Sequence, residues 1–236
     1  MMAVCHHDPR SWFNLLVMTT CPDQTAQANR MLFRPALTPY IVRNDFLPSA
    51  TVDGLLKHTK TNESRFRASR IGYGDNAGVD PAIRLSSTLD DLGVFKSTLK
   101  NLLSPLAPVF AAELRLQPFQ LKGIELELVA HGDGAFFERH IDTIRTAQSR
   151  ENKSVRLLSA VYYFHATPKG FTGGALRLHE AMPRENEEQF VDIEPVHNSL
   201  VVFPSWMPHE VMPVRCPTQR FIDSRFALNC WFHRAR

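Results

Sequence analysis

The strongest constraint on the fold lies in the second half of the chain. From residue 121 to residue 231 the pattern is a series of short strand-like segments, and no helical stripe interrupts it. Ile124, Leu126 and Leu128 alternate with Glu125 and Glu127, the period of a half-buried strand. Val155 to Phe164 is a nearly continuous apolar run with β-branched and aromatic residues, which suits a central strand. Ala175 to Leu178, Phe190 to Ile193, Ser199 to Phe203 and Phe226 to Trp231 continue the series. Gly132-Asp133-Gly134, Pro168-Lys169-Gly170 and Pro204-Ser205 supply turns between them. Many short strands at close spacing predict a sandwich or barrel.

The first half reads differently. Tyr40-Ile41-Val42 predicts a short strand, followed by a turn and a helix that Ser49 caps and that Val52, Leu55 and Leu56 anchor. Leu92, Phe95, Leu99, Leu102 and Leu103 fall at spacings of three and four, which predicts a helix over residues 90–104. Pro105 and Pro108 end or redirect it. The expected fold is mainly β with flanking helices. Residues 35–236 form a single domain, with 35–120 mostly helical support and 121–236 the β core. Residues 1–34 are expected to be an N-terminal extension, with Met31 a candidate working start.

Within the β half, Gly132-Asp133-Gly134-Ala135-Phe136-Phe137-Glu138-Arg139-His140-Ile141-Asp142 stands out. In a strand, residues i and i+2 face the same side, so His140 and Asp142 can reach one ion. Imidazole and carboxylate are two-thirds of the facial triad that suits Fe(II) and leaves coordination positions open. The third ligand should be a histidine on another strand, and His209, after Ser199 to Phe203 and the Pro204 to Pro208 turn, fits. The spacing alone is weak. With 10 His and 24 Asp plus Glu in 236 residues, about one His-x-acid match arises by chance. His6-His7-Asp8 is such a match without strand context.

Four ordered blocks give the spacing its weight. They are Gly134-Ala135-Phe136-Phe137 leading to His140-x-Asp142; Arg156 to Tyr163; Phe171-x-Gly173-Gly174-Ala175-Leu176-Arg177-Leu178; and Phe203-Pro204 through His209-Glu210-Val211-x-Pro213-Val214, with Arg225-Phe226-Ala227-Leu228-x-x-Trp231-Phe232 beyond. Together they resemble the prolyl 4-hydroxylase-like branch of the Fe(II)/2-oxoglutarate oxygenases. The resemblance implies a double-stranded β-helix, or jelly-roll, core. It implies that His140, Asp142 and His209 hold Fe(II), with 2-oxoglutarate as cosubstrate, dioxygen as oxidant and ascorbate as an accessory reductant. It also implies a basic residue for the cosubstrate's distal carboxylate. Arg225 matches by its Arg-Phe-Ala-Leu-x-x-Trp context, although it lies sixteen residues after His209. Arg220 is nearer the usual spacing but lacks the downstream strand. Tyr163 matches a position whose hydroxyl often bonds the same carboxylate, or it is an ordinary core tyrosine.

The implied reaction is hydroxylation of an unactivated C–H bond of an amino acid, a peptidyl residue or a small metabolite, with succinate and carbon dioxide as coproducts. An aspartate at 142 favours hydroxylation over halogenation within the resemblance. Phe136, Phe137, Phe203 and Trp206 are candidates for cavity walls, with core packing the commoner role. Arg177 is a candidate for the cavity mouth, with a solvated strand position the commoner role. His131, His165, His179, His197 and His233 read as surface or satisfied core. His131 stands where the resembling proteins often have tyrosine.

Charge and composition narrow the rest. A net charge of +3, with Lys and Arg spread along the chain, offers no nucleic-acid or membrane-surface patch. The apolar stretch Trp12 to Met18 is too short to span a bilayer. Cys5, Cys21, Cys216 and Cys230 form no CxxC pair, and a reducing, cytoplasmic setting is expected. Two other readings remain: a zinc hydrolase using the same three ligands, and a non-catalytic jelly-roll binding module.

Overall fold

Side-chain alternation along the strands decides what each face of the β core meets. The computed structural model describes residues 39–72, 77–143, 154–181 and 189–235. The apolar run around Val155 becomes β7 (Ser154–Phe164) in a seven-stranded antiparallel sheet. Across that sheet lie β1 (Ile41–Arg43), β11 (Ser199–Pro204), β7, β14 (Arg225–Ala235), β5 (Leu121–His131), β4 (Ser87–Leu89) and β2 (Arg67–Ala68). A five-stranded antiparallel sheet runs β10 (Phe190–Ile193), β9 (Leu176–His179), β12 (His209–Val211), β6 (Phe136–His140) and β3 (Arg84–Leu85). A short ribbon pairs β13 (Val214–Arg215) with β8 (Thr172–Gly173).

Both faces of β7 are covered, which is why its sequence is apolar at nearly every position. Leu158, Ala160, Tyr162 and Phe164 join one core with Val52 and Leu55 of α1 (Ser49–Thr61), Leu99 and Leu103 of α2 (Phe95–Leu103) and Phe110 of α3 (Ala107–Glu113). Val161 and Tyr163 point the other way, into a second core with Leu176 and Leu178 of β9 and Val201 and Phe203 of β11. The same parity runs along β14. Phe226, Leu228, Cys230 and Phe232 pack on the helix side, and Ala227 packs between the sheets. Two facing antiparallel sheets with helices outside form the expected jelly roll.

The first half departs from the sequence reading in three places. Residues 35–120 supply, beside the expected strand β1, the strands β2 to β4. Those strands are two or three residues long, too short to display a period. Ser49 is the first helical residue rather than the cap. Pro48 holds the cap position at φ −56° and ψ 141°, with no side-chain cap bond. The second helix begins at Phe95 rather than near residue 90. The Asp91 carboxylate accepts the Gly93 N–H at 2.8 Å and holds a turn with Gly93 at φ +51°, so Leu92 is buried ahead of the helix. Pro105 falls in a 3₁₀ turn (Ser104–Leu106), and Pro108 opens α3, where its missing N–H is not needed.

Among the described residues no helix is long and apolar enough to cross a membrane. The expected extension at 1–34, Met31 as a working start and the His6-His7-Asp8 match lie outside the described residues.

Candidate metal centre

Strand pairing brings the two histidines together. β12 runs antiparallel to β6 with His209 and His140 as direct Cα partners, and their rings are 4.2 Å apart. Asp142 lies two residues beyond the end of β6, so strand alternation is not what aims it. Its N–H donates to the Ser205 carbonyl at 2.9 Å, and this turn contact swings the carboxylate back toward the imidazoles. Asp142 Oδ1 is 3.8 Å from His140 Nε2, and Oδ2 is 3.5 Å from His209 Nε2. One ligand atom from each residue lies within 4.8 Å of the others.

Outer contacts fix the orientation of each group. His140 Nδ1 donates to the Glu138 carbonyl at 2.8 Å and His209 Nδ1 to the Met207 carbonyl at 2.9 Å. Each proton is thereby placed on Nδ1, and the Nε2 lone pairs converge. Ser159 on β7 donates to Asp142 Oδ2 at 2.6 Å, and Ser205 Oγ is 2.9 Å from the Ser159 oxygen. Phe137 stacks on His140 at 3.6 Å, and Phe203 meets His209 edge-on at 4.7 Å. Burial, and then repulsion from His209, holds the His140 imidazole well below its ordinary range, so it is neutral. Burial opposes ionisation of Asp142, but His209, His140, Arg156 and the Ser159 hydroxyl outweigh it and hold the carboxyl below its usual range. Two imidazoles with converging Nε2 atoms and one ionised carboxylate are the donor set a ferrous ion takes.

Removal of the Ser159 hydroxyl should loosen Asp142 without deleting a ligand. Ser159→Ala is expected to weaken metal retention by roughly 10–100-fold, read by competition with a chelator. An unchanged affinity would show that the Ser205 turn alone suffices.

The same inner cavity reaches Arg225, His131 and Asn229 on β14 and β5. Arg225 is fully buried and is the Cα partner of His131. Its Nε donates to the Gly174 carbonyl at 2.7 Å, and its Nη1 is 3.1 Å from His131 Nδ1. Its guanidinium carbon is 4.8 Å from the centre of the Tyr163 ring. Arg225 Nη2 and Tyr163 Oη are buried and have no hydrogen-bond partner among the described residues. Buried polar groups are seldom left so, and a carboxylate would satisfy both. Burial lifts the Tyr163 phenol to about 12 against the pull of Arg225, so its hydroxyl keeps its proton. Gly174 makes the arrangement possible, because a Cβ there would lie 2.6 Å from Arg225 Cδ, and its φ is +71°.

Arg220 is elsewhere. Its side chain is 68% exposed, pairs with Asp223 at 2.7 Å and is not among the residues that line the cavity. Of the four aromatics, Phe137 lines the cavity and Phe203 is fully buried in core. Phe136 and Trp206 are half-buried and not among its lining residues. Arg177 binds Asp192 through two nitrogens at 2.7 and 2.8 Å and lies over Phe190, which fits the strand-surface reading. His179 meets Glu210 and His233 meets Glu125, while His165 and His197 contact each other.

One residue of the site escaped the sequence reading, and another, His131, was read only as surface or satisfied core; it is 3% exposed. It shares the cavity wall with the triad and contacts Arg225. The signal was its parity, because it stands an even number of residues from Glu125 and Glu127, on the face opposite Ile124 and Leu128. Arg84 is the one that escaped. It is 8% exposed, pairs with Glu127 at 3.1 Å and lies over Phe137 at 4.9 Å. Nothing in its local sequence announces it.

Burial, with the Arg225 and Arg84 guanidiniums nearby, holds His131 well below the ordinary value of 6.5. The unfolded chain therefore binds a proton near pH 6.5 that the folded chain refuses. The sign follows: this contribution is present above about pH 6.5 and is lost as the pH falls below it, by up to about 1.4 kcal/mol per pH unit. His140, shifted the same way, acts in the same window. Urea midpoints of the metal-free protein should drop between pH 7.5 and 5.5, and His131→Asn should flatten the drop. An equal slope in the variant would mean that His131 titrates normally.

Comparison with known proteins agrees with this geometry. Residues 126–233 match the 2OG-Fe(II) oxygenase superfamily. An uncharacterized PKHD-type hydroxylase from Synechocystis is 37% identical over 131 residues, which are 54% of this chain and 42% of that protein. The match thus spans less than half the length of that relative. A prolyl-4-hydroxylase from Pseudomonas putida superposes with a TM-score of 0.59 at 25% identity, covering 84% of this chain and 92% of the other. A Trichoplax adhaerens prolyl hydroxylase, solved with a peptide fragment of the hypoxia inducible factor oxygen degradation domain, shares the fold. Its TM-score is 0.57 at 22% identity, covering 82% of each chain.

Proposed function

We propose that this chain, which resembles the prolyl 4-hydroxylase-like Fe(II)/2-oxoglutarate oxygenases over most of its β core, is itself a 2-oxoglutarate-dependent dioxygenase. It hydroxylates a C–H bond of an amino acid, peptidyl residue or small metabolite and releases succinate and carbon dioxide. One observation carries the reading. A face of two imidazoles and one carboxylate opens into the same cavity as a buried arginine with an unpartnered nitrogen. Fe(II) supplies dioxygen activation and redox chemistry when bound there.

The chain's own residues do the rest. His140, Asp142 and His209 hold the ion from one side, and their outer hydrogen bonds keep them aimed. Arg225 and the Tyr163 hydroxyl take the distal carboxylate of 2-oxoglutarate, the arginine as a planar donor fork. His131 stays neutral, accepts from Arg225 and holds the guanidinium in place. Val161, Leu176 and Val211 line the cavity between the two ends and exclude water. Cys216 and Cys230 are free buried thiols, in keeping with the cytoplasmic setting we propose.

The zinc-hydrolase reading leaves Arg225 and Tyr163 without a task. Asp142, itself a ligand, is also the one carboxylate among the described residues lining the inner cavity. Calorimetry under nitrogen separates the two. 2-Oxoglutarate is expected to bind the Fe(II)-loaded protein and to lose most of that affinity when the metal is removed. Binding that ignores the metal, or tightly retained zinc with no 2-oxoglutarate binding, would overturn the oxygenase reading.

A further inference from the structure

A larger cleft of about 550 Å³ adjoins the candidate metal centre. His140, Asp142, Phe137, Arg84 and Trp231 line both spaces, so the cleft reaches the reacting position directly. Its size suits a drug-sized metabolite or a few residues of a peptide. Arginine is prominent in its lining. Arg65, Arg67, Arg70, Arg84 and Arg156 all line it, against Asp90, Glu125 and Glu127 beyond Asp142.

Ion pairs account for most of these groups. Arg84 pairs with Glu127 at 3.1 Å, Arg156 with Glu125 at 2.7 Å and Arg65 with Asp91 at 2.9 Å. Arg67 and Arg70 form no ion pair among the described residues. Arg67 Nη1 donates to the Ser64 and Phe66 carbonyls at 2.7 and 2.9 Å, and Arg70 donates to the Ala77 carbonyl. Neutral acceptors thus hold both guanidiniums in place without cancelling their charge. With Asp90 and Asp142 counted, the described lining residues carry five arginines against four carboxylates, and the cleft keeps a small positive excess.

We propose that Arg67 and Arg70 bind a carboxylate of the prime substrate, so that the substrate class is anionic. This rests on the oxygenase reading and adds to it a specificity the metal centre does not supply. The carboxylate is either an acidic side chain flanking the target residue in a peptide or the acid group of a free amino acid. The fork geometry of arginine suits both.

Matched probes test it. One pair is a pool of hexapeptides carrying Asp or Glu at one position and the same pool with Asn or Gln there. The other pair is a mixture of free amino acids and the corresponding amino-acid amides. Binding is followed by tryptophan fluorescence of the metal-free full chain, since Trp231 lines the cleft, and turnover by succinate release above the substrate-free rate. One acidic pool is expected to bind about tenfold more tightly than its amide partner, the value of a charge-assisted contact. The preference should shrink in high salt and vanish in R67Q/R70Q, each variant being judged by its own acid-to-amide ratio. R67K/R70K should retain part of it. Which acidic pool responds tells a peptide from a free acid. Equal response to acid and amide, response to neither acidic pool, or a preference that survives in R67Q/R70Q overturns the proposal. Substrate-free succinate formation by the wild-type protein reports separately on the oxygenase reading, so the two fail in distinguishable ways.

Discussion

Asp142→Ala should abolish iron-dependent 2-oxoglutarate turnover while leaving the chain folded. Asp142 provides the carboxylate between His140 and His209, and its side chain is nearly buried. Without it, two neutral imidazoles would hold a dication with no compensating charge. The loss of Fe(II) affinity should exceed the roughly 10–100-fold typical of losing an outer contact to a metal ligand. The fold should survive, because Asp142 belongs to none of the hydrophobic cores and its burial already opposes its charge. Equilibrium metal titration and thermal unfolding, run on the same preparation, check both halves. Retained iron affinity would mean that the three side chains are not the ligand set.

Arg225→Ala should act at the other end of the cavity. It deletes the cation proposed for the distal carboxylate and leaves His131 Nδ1 without its donor. Breaking a buried charge pair by removing one partner costs about 3–5 kcal/mol, so the KM for 2-oxoglutarate should rise by roughly 100-fold or more. Metal affinity should change little, since Arg225 makes no contact with the three metal-ligand candidates. Arg225→Lys should recover part of the loss, because a point charge replaces a fork. Arg220→Ala, made at an exposed arginine that does not line the cavity, is the matched control and should leave KM near the wild-type value. A large effect at Arg220 and none at Arg225 would reverse the assignment.

Much of this site was legible in the sequence because strands of ten residues or so advertise their period. The run over Val155 to Phe164 and the alternation from Ile124 predicted β7 and β5, and the ordered blocks around His140, His209 and Arg225 predicted what the two sheets bring together. The reasons were not always the right ones. His140 and Asp142 converge through a turn contact with Ser205, not through alternation within one strand. His131 was read as surface or satisfied core, and its parity on β5 places it on the face opposite the helices. Arg84 could not have been found, since β3 is two residues long and carries no period. β2 and β4 were missed for the same reason, whereas Tyr40-Ile41-Val42 had already announced β1. Pro48 displaced Ser49 at the start of α1 because its own backbone geometry launches the helix without a side-chain bond.

The most direct test of the account is succinate formation. The full chain, purified without oxygen and given Fe(II) and 2-oxoglutarate, is exposed to oxygen beside His140→Ala. Succinate that requires iron and falls to background in His140→Ala is the predicted result. No succinate from a folded, iron-loaded wild-type protein, or equal succinate from His140→Ala, would contradict the assignment of His140, Asp142 and His209 as the iron centre of a 2-oxoglutarate oxygenase.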